Sequence, residues 1–471
     1  MKGPPCSRSA LAAALFALTG AACIRRPAVP ATPRAAPSPI AAVVTIAPGE
    51  RHQRLEGFGA SVAWHLETIT GSAPPGIYQV LFPELGLDIL RLRNRYGRSK
   101  PEDGDLRQEV EIVRRGTTAL GHPPKILLSS WAPPAALKAD GREDCHDNRD
   151  CTLAKENGRF VYDKFARYWA DSLRHYAELG IVPDYITIEN EPSFIPPAWE
   201  GCKFEPSETA DYPGFDRALE AVHDAIGRVS LPRRPLLLAP EVLGIHWGVL
   251  QKYLGAMNMS LVDGVAHHLY EKGPDGIWDW RVPGPDSFAD EMRAAAAATR
   301  KPLYQTEFQT DDDRGIDGGF ETAWLMHLSL VDEGVVAFLY WNLVWTDQGG
   351  LVSINRGGYQ IRDQYYAVKH YARFTDPGDV RVGARSDAPA IRASAFVSPT
   401  GDRLTIVVLN TGAASAELRI EAGGFSFARA AGYLTIFRPG ASETWKELGA
   451  LDLGRTLALP SRSIATFVLT R

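Results

Sequence analysis

Short runs of β-forming residues alternate with helical patterns between residues 55 and 345, and this alternation is the strongest constraint on the fold. The runs occupy residues 55–62, 88–93, 125–130, 185–189, 235–239, 264–269, 302–306 and 335–340. The clearest helical pattern covers residues 160–179, where aromatic and leucine side chains recur at near-helical spacing. Eight such units in roughly 300 residues are typical of a (β/α)8 TIM barrel, an α/β fold. A doubly wound sheet is the alternative, but no glycine-rich phosphate motif follows the first run.

The pattern changes at residue 376, where helical periodicity stops. Strand-like runs follow at residues 391–397, 403–409, 416–420, 430–437 and 463–469, with turn-forming residues between them. We therefore expect a barrel over residues 55–375 and a β-sandwich side domain over residues 376–471. Residues 41–54 contain another strand candidate, at 41–46, which we expect to join the side domain.

Residues 1–22 have the pattern of an export signal: a weakly basic start, an apolar run too short to span a bilayer, and then small residues. Residues 23–40 are rich in proline and alanine, which predicts an extended tether. Cys23 follows small residues, as in a bacterial lipoprotein, although Leu18 lies farther upstream than that pattern requires. Plain secretion from a bacterial cell and a lipid anchor at Cys23 on the outer envelope therefore both stay open.

The charge balance bears on possible partners. The 471 residues include 51 lysines and arginines and 56 aspartates and glutamates, which gives a net charge of −5. Because the chain has no basic excess, we do not expect nucleic acid as a partner. The length exceeds what one core usually fills, in agreement with a large domain and a smaller one. We expect a monomer.

The cysteines offer one pairing. Cys145 and Cys151 bracket a polar loop, and a disulfide between them fits an exported protein. A zinc site at Cys145, His146 and Cys151 is the weaker interpretation, because no second Cys/His pair lies nearby at ligand spacing. Cys202 then has no obvious partner in the sequence.

Polar and aromatic residues stand where the predicted barrel strands end, the position from which catalytic groups of this fold project. They are Arg91, Arg93, Ser130, Trp131, Asn190, Glu191, His267, His268, Tyr270, Glu307, Tyr340 and Trp341. Glu191 and Glu307 are carboxylates on different strands. Paired carboxylates hydrolyse glycosides: one is protonated and assists the leaving oxygen, while the other is ionised and attacks the sugar. A retaining double displacement would place them about 5–5.5 Å apart.

The same residue types also occur in structural roles. An arbitrary glutamate is more often solvated or ion-paired, but an Asn-Glu-Pro that closes a barrel strand favours a catalytic role for Glu191. Glu189 is expected to face a helix or a buried ion pair. His267 and His268 lack metal-site spacing, so we expect one to hydrogen-bond near the substrate and no metal or cofactor to bind. Tryptophans in or near predicted βα loops, several of which should line a cleft, are Trp64, Trp199, Trp247, Trp278 and Trp345.

Ordered motifs between residues 55 and 382 resemble glycoside hydrolase family 30, whose members are retaining enzymes with a (β/α)8 barrel. The motifs lie at residues 55–61, 87–93, 129–138 (containing Trp131), 183–192, 305–307 and 364–378. The resemblance implies that Glu191 is the general acid/base and Glu307 the nucleophile. It also implies that Arg91 is the active-site arginine, that Tyr270 hydrogen-bonds the nucleophile and that Asn190 binds the sugar 2-hydroxyl. The family's side domain is built from both ends of the chain, which agrees with a strand at 41–46.

Members of the family cut β-1,4-xylan, β-1,6-galactan, β-1,6-glucan or glucosylceramide, so the resemblance implies a β-linked substrate. We expect a plant polysaccharide, and β-1,6-galactanase, β-1,6-glucanase and glucosylceramidase activities are the alternatives within the family. Residues 181–185 and 340–352 are most similar to the xylanase-type bacterial members, so we expect an endo-β-1,4-xylanase. A non-catalytic carbohydrate-binding protein on the same fold is the alternative from a different class, and the presence of both carboxylates weighs against it.

Glucuronate side groups on xylan provide a further expectation. Related glucuronoxylanases clamp the glucuronate with an arginine in the loop after strand eight. Here residues 342–354 contain no arginine or lysine, Asp347 would repel a carboxylate, and Arg356 is the first basic residue. We therefore expect no strict requirement for glucuronate, with Trp341 and Trp345 holding the chain by stacking.

Overall fold

The computed structural model describes residues 37–71, 74–98, 105–272, 278–279, 284–310, 314–346, 349–355 and 358–471. The predicted export signal, Cys23, most of the predicted tether, Asp347 and Arg356 lie outside the described residues. Within the described ranges, no helix combines the length and the apolar character needed to cross a membrane.

Eight parallel strands close into a barrel, as the sequence predicts. In order around the barrel, strands one to eight are Gly57–Ser61, Ile89–Arg93, Lys125–Ser129, Tyr185–Thr187, Leu236–Val242, Gly264–His268, Leu303–Glu307 and Ala337–Asn342. Nearly all of their residues are buried, because side chains fill the barrel interior and helices cover its outside.

Two strand ends differ from the sequence prediction in ways that matter for the site. Strand four ends at Thr187, so Glu191 lies in the following loop with a left-handed φ of 52°. Strand five continues to Val242 instead of ending at residue 239. The strand can include Pro240 because its pairing with strand six is irregular there, with a register shift between Pro240 and Val242. Proline is tolerated at such bulges.

Helices connect the strands on the outside of the barrel. They are Leu66–Thr70, Ile77–Gln79, Leu106–Leu120, Tyr162–Glu178, Phe215–Ile226, Val249–Ala256, Ala289–Ala298, Gly315–Leu328 and Asp363–Ala372, with shorter helical turns at Val80–Glu84, Ala135–Leu137, His246–Gly248, Met259–Leu261, Pro285–Phe288 and Ser329–Glu333. The helix Tyr162–Glu178 buries Phe165, Trp169 and Leu173, which recur every four residues and so share one face. Asp105 and Gln108 form a capping box at the start of Leu106–Leu120.

A nine-stranded sheet forms the side domain. Its strands in spatial order are Glu443–Ala450, Arg429–Ile436, Ser463–Thr470, Arg403–Asn410, Ile391–Val397, Val380–Ser386, Ile40–Arg54, Ala416–Glu421 and Leu457–Leu459. Ile40–Arg54 pairs antiparallel with Val380–Ser386 and parallel with Ala416–Glu421, so residues from before and after the barrel share the sheet. Alternate residues of these strands, such as Val44 and Leu418, fill an apolar core.

Smaller sheets lie in the loops that connect the elements of the barrel. A three-stranded sheet of Val344–Thr346, Val352–Asn355 and Gly358–Ile361 follows strand eight. Two-residue strand pairs join Lys155–Glu156 to Arg159–Phe160 and Glu271–Lys272 to Trp278–Asp279.

Candidate active site

Two glutamates face each other at the C-terminal end of the barrel. Glu307 is the last residue of strand seven, and Glu191 lies in the loop after strand four. One carboxylate oxygen of each lies within 4.8 Å of the other. The barrel therefore brings together two carboxylates that are 116 residues apart in the sequence (307 − 191).

Arg91 lies beneath this pair on strand two and is fully buried. Its Nη1 donates to Glu307 Oε2 at 2.5 Å, and its Nη2 donates to Asn190 Oδ1 at 2.7 Å. Its Nε donates to Ser129 Oγ at 3.1 Å. A guanidinium held this way favours the ionised form of Glu307 and fixes the orientation of its carboxylate.

His268, at the end of strand six, is a second buried cation. Its Nδ1 lies 3.0 Å from Glu191 Oε1, and its Nε2 lies 3.8 Å from an oxygen of Glu307. Burial alone would lower the pKa of His268, but the charge of Glu307 and the bonds to Glu191 and Glu241 outweigh it and raise that pKa to about 9. The imidazole is therefore protonated at neutral pH, and Nδ1 donates to Glu191.

Glu241, near the end of strand five, is a third carboxylate that the sequence analysis missed. It is fully buried, and its Oε1 lies 3.2 Å from Arg91 Nη2 and 3.8 Å from His268 Nε2. Burial alone would raise the pKa of Glu241, but Arg91 and His268 outweigh it, so the pKa lies below its ordinary value. The missed signal was an acidic residue directly after the apolar run Leu236-Leu237-Leu238 and Ala239-Pro240.

The charges in the site balance when one proton is present. Arg91 and His268 are cations, and they match two ionised carboxylates among Glu191, Glu241 and Glu307. Burial raises the pKa of Glu307 and the charge of Glu191 adds to this, while His268 and Arg91 act in the opposite direction. With two cations present, two of the carboxylates can be ionised and the third can keep a proton without leaving net charge in the protein interior.

Five tryptophans line the cleft above the carboxylates. The cleft has an empty volume of about 730 Å³ and is lined by Trp64, Trp131, Asn190, Glu191, Trp199, Tyr270, Glu307, Trp341 and Trp345. The rings of Trp64, Trp131 and Trp341 pack against one another with centroids 5.2–5.7 Å apart. The guanidinium carbon of Arg91 lies 4.4 Å from the Trp131 ring centroid. Such a wall is suited to stacking against the apolar faces of sugar rings.

Comparison with solved structures adds independent information. The catalytic domain of the family 30 glycoside hydrolase xylanase C from Talaromyces cellulolyticus superposes with a TM-score of 0.69 at 19% identity, covering 91% of this chain and 100% of that one. A family 30 subfamily 8 xylanase from Clostridium acetobutylicum gives a TM-score of 0.67 at 19% identity, covering 91% and 99%. An endo-β-1,6-glucanase gives 0.66 at 16% identity, covering 91% and 94%. The chain has the fold of glycoside hydrolase family 30. The resemblance predicted from the motifs is thus confirmed at the level of the fold.

Sequence comparison gives a weaker match. An endo-1,6-β-D-glucanase of Aspergillus fumigatus is 24% identical over 310 residues, which are 61% of this chain and 59% of that protein. The match therefore spans less than two thirds of the relative's length. No protein-family model matches the chain.

The site residues expected from the sequence fall into two groups in this family 30 fold. Glu191, Glu307, Trp131, Asn190, Tyr270, Trp341 and Trp345 line the cleft. Arg91, expected as a substrate-binding active-site arginine, and His268, expected to bind or hydrogen-bond near the substrate, are fully buried and contact the carboxylates. The reason is that a charged side chain inside a barrel is stable only when it is paired, and the carboxylates provide the partners.

Of the other tryptophans expected near the cleft, some line it and some do not. Trp64 and Trp199 line the cleft with Trp345. Trp247 is 59% exposed and is not among the lining residues. The side chain of Trp278 lies outside the described residues.

Glu191, His268 and Glu307 also offer three ligand-type atoms within 4.8 Å of one another. Arg91 already gives Glu307 a cationic partner, and both nitrogens of a protonated His268 carry hydrogen, so a metal ion would have to displace a proton from His268 and compete with Arg91 for Glu307. The chemistry of this donor set fits a hydrogen-bonded ion cluster that shares a proton.

Cys145 and Cys151 form a disulfide in the loop after strand three. The backbone N–H of Cys145 donates to the carbonyl of Trp199 at 2.9 Å, so the disulfide loop supports one wall of the cleft. Cys202 is buried, and burial raises the pKa of its thiol well above the ordinary value.

Proposed function

We propose that the protein is a retaining glycoside hydrolase in which Glu191 is the general acid/base and Glu307 the nucleophile. The observation that carries this proposal is the separation of the two carboxylates, with an oxygen of each within 4.8 Å of the other. Retaining enzymes hold the two groups about 5–5.5 Å apart, whereas inverting enzymes leave about 6.5–9.5 Å for a water molecule.

The hydrogen bonds of the site support the following steps of a double displacement. In the first step the carboxylate of Glu307, oriented by Arg91, attacks the anomeric carbon while Glu191 gives its proton to the departing glycosidic oxygen. A glycosyl ester on Glu307 results. In the second step Glu191 takes a proton from water, the water oxygen attacks the anomeric carbon, and Glu307 leaves as a carboxylate. The two inversions give net retention.

We propose a neutral β-linked glycan as substrate, with β-1,4-xylan cut by an endo mode as the first choice. Among the described residues that line the cleft, none is a lysine or arginine, and five are tryptophans. This composition suits uncharged sugar rings better than a uronate, so we propose no strict requirement for glucuronate. The family 30 xylanases among the structural neighbours support xylan.

β-1,6-Glucan is the second candidate. The curated relative that matches by sequence is an endo-1,6-β-D-glucanase, and an endo-β-1,6-glucanase is among the structural neighbours. The xylan proposal predicts release of short products from linear and glucuronate-bearing xylo-oligosaccharides alike. Hydrolysis of β-1,6-glucan but not of xylan would show that β-1,6-glucan is the substrate. Products that always carry glucuronate at a fixed position would contradict the proposal that the enzyme does not require glucuronate.

Nucleophile variants test the mechanism itself. Glu307→Gln should lower kcat by at least about 10³-fold, because the covalent step loses its nucleophile. Azide should rescue Glu307→Gly with a product of inverted anomeric configuration, detected by NMR. The wild type should retain configuration and remain active after exhaustive EDTA treatment, since the two carboxylates supply both the proton and the nucleophile. An inverted wild-type product would contradict the assignment, and so would loss of activity in EDTA with recovery on adding a divalent ion.

We also propose that the chain is exported, with Cys23 as a lipid-attachment site. Cys23→Ala should move the protein from the membrane fraction to the soluble extracellular or periplasmic fraction. An unchanged soluble distribution of the unsubstituted protein would favour plain secretion.

A further inference from the structure

Glu241 has no assigned role in the double displacement, yet it contacts both cations of the site. It lies on strand five with its side chain fully buried and its backbone at a φ of +60°, a conformation that non-glycine residues seldom adopt. Its backbone carbonyl also accepts the N–H of Glu191 at 3.0 Å. The residue is therefore tied to the acid/base through both its backbone and its charge.

The charged and polar groups around the Glu241 carboxylate come from four other strands or the loops that follow them. They are Arg91 at 3.2 Å, Ser129 Oγ at 3.4 Å, His268 Nε2 at 3.8 Å, the Thr187 hydroxyl and the carboxyl group of Glu189. The contacting cations are shared, because Arg91 also bonds Glu307 and His268 also bonds Glu191. Removing the charge of Glu241 would therefore change the electrostatic environment of both proposed catalytic carboxylates without removing a contact with the substrate.

We propose that Glu241 is a positioning residue whose negative charge balances the positive charges of Arg91 and His268 and so sets the pH range in which the acid/base carries a proton while the nucleophile is ionised. This inference rests on the proposed function. With Glu241 and Glu307 ionised and both cations present, the cluster is neutral when Glu191 carries its proton. Any change of one charge must be compensated by the proton, because uncompensated buried charge is costly.

The sign of the effect follows from this balance. Glu241→Gln leaves one excess positive charge, which favours loss of the acid/base proton and disfavours protonation of the nucleophile. In a plot of kcat/KM against pH, the acidic and the basic limb should then both move to lower pH. A nearby charge usually shifts a pKa by about one unit or more. His268→Asn removes a positive charge, so both limbs should move to higher pH.

The decisive experiment combines the two substitutions. The double variant Glu241→Gln, His268→Asn has no excess charge, so its limbs should return to near the wild-type pH values even if kcat stays low. A residue that merely supported the local fold would lower kcat at all pH values and leave the limbs in place. The profile is measured on whichever soluble oligosaccharide the wild type hydrolyses, and circular dichroism checks the folding of each variant.

Two matched variants complete the test. Glu241→Asp keeps the charge, so it should keep the limbs near the wild-type positions. Glu189→Gln is the control, because Glu189 is also fully buried at this end of the barrel and burial raises its pKa well above the ordinary value, so we expect glutamine there to change the charge little. Its limbs should not move.

Unshifted limbs in Glu241→Gln, or a double variant shifted as far as either single variant, would overturn the inference. If Glu241→Gln does not fold, Glu241→Asp and His268→Asn still decide: shifted limbs in the aspartate variant or unshifted limbs in the asparagine variant would contradict it. A wild-type protein without glycosidase activity would contradict the proposed function instead, so the two failures are distinguishable.

Discussion

Burial of the Glu307 side chain has a consequence for the pH dependence of the proposed reaction. Burial raises the pKa of this carboxyl above the ordinary 4.5, and Glu191 adds to the effect. A raised pKa means that protonation removes the nucleophile at a higher pH than for a solvent-exposed glutamate. The acid limb of kcat/KM should therefore lie above pH 4.5. The measurement is kcat/KM on a soluble substrate, followed from neutral pH downward, with folding checked at each pH; an acid limb below 4.5 would contradict the assignment.

Residue-scale prediction from the sequence worked where position along a strand determines exposure. Glu307 and Trp341 could be placed at the cleft because residues at the C-terminal ends of barrel strands face the same opening. Glu241 was missed because the strand was expected to stop before Pro240, and only the register shift shows how it continues. The burial of Arg91 could not be predicted either, since it depends on carboxylates that are distant in the sequence.

Among the elements, the three-stranded sheet after strand eight carries Trp345 in its first strand, and Gly349, which lies between the first two strands, packs against the indole. A Cβ atom on Gly349 would lie 2.5 Å from Trp345 Cδ1, closer than such atoms can approach. Gly349→Ala should therefore displace the indole from the cleft. We expect kcat/KM on the polysaccharide to fall roughly five- to tenfold, about the energy of one aromatic contact, with most of the change in KM because binding is lost.

Gly255→Ala is the matched control for that substitution. Gly255 lies in the helix Val249–Ala256, and an added Cβ would meet nothing within 4 Å. Alanine there should leave kcat/KM unchanged and stabilise the fold by about 0.4–1 kcal/mol, measured by urea unfolding. An unchanged KM in Gly349→Ala would show that Trp345 does not contribute to substrate binding.

Element prediction was reliable for the barrel strands and weaker for what lies between them. The eight buried strands show as compact β-forming runs because both of their faces are covered. The three-stranded sheet, the short helical turns and the outer side-sheet strands Glu443–Ala450 and Leu457–Leu459 were not predicted. These pieces are short or solvent-exposed, so their sequences carry little periodicity, and their pairing depends on partners fixed by the rest of the fold.

At the scale of the whole molecule, the helix Asp363–Ala372 joins the barrel to the side sheet through His370. The Thr466 hydroxyl donates to the carbonyl of His370 at 2.7 Å, so its oxygen accepts from Nδ1–H at 2.9 Å. Burial lowers the pKa of His370 to about 3, so the imidazole is neutral at pH 7 and its proton lies on Nδ1. Its Nε2 then accepts from the Thr435 hydroxyl at 2.8 Å, while the Thr435 oxygen accepts the N–H of Trp445. The sequence could not predict this contact, because it joins residues 96 positions apart.

Acid should therefore loosen the junction between barrel and side sheet. Burial, with Lys369 adding to it, lowers the pKa of His370 to about 3 from an ordinary 6.5. A depressed pKa gives stability that is present above pH 6.5 and is lost as the pH falls toward 3, at about 1.4 kcal/mol per pH unit. His370→Gln removes this titration, so its free energy of unfolding should fall less steeply below pH 6.5 than that of the wild type by about that amount. Urea unfolding at successive pH values measures both slopes, and comparing the two proteins cancels the titration of all other groups. As a control, replacing the exposed His122 by glutamine should leave the slope of the unfolding free energy against pH unchanged. Equal slopes for wild type and His370→Gln would mean that His370 does not make the junction sensitive to acid.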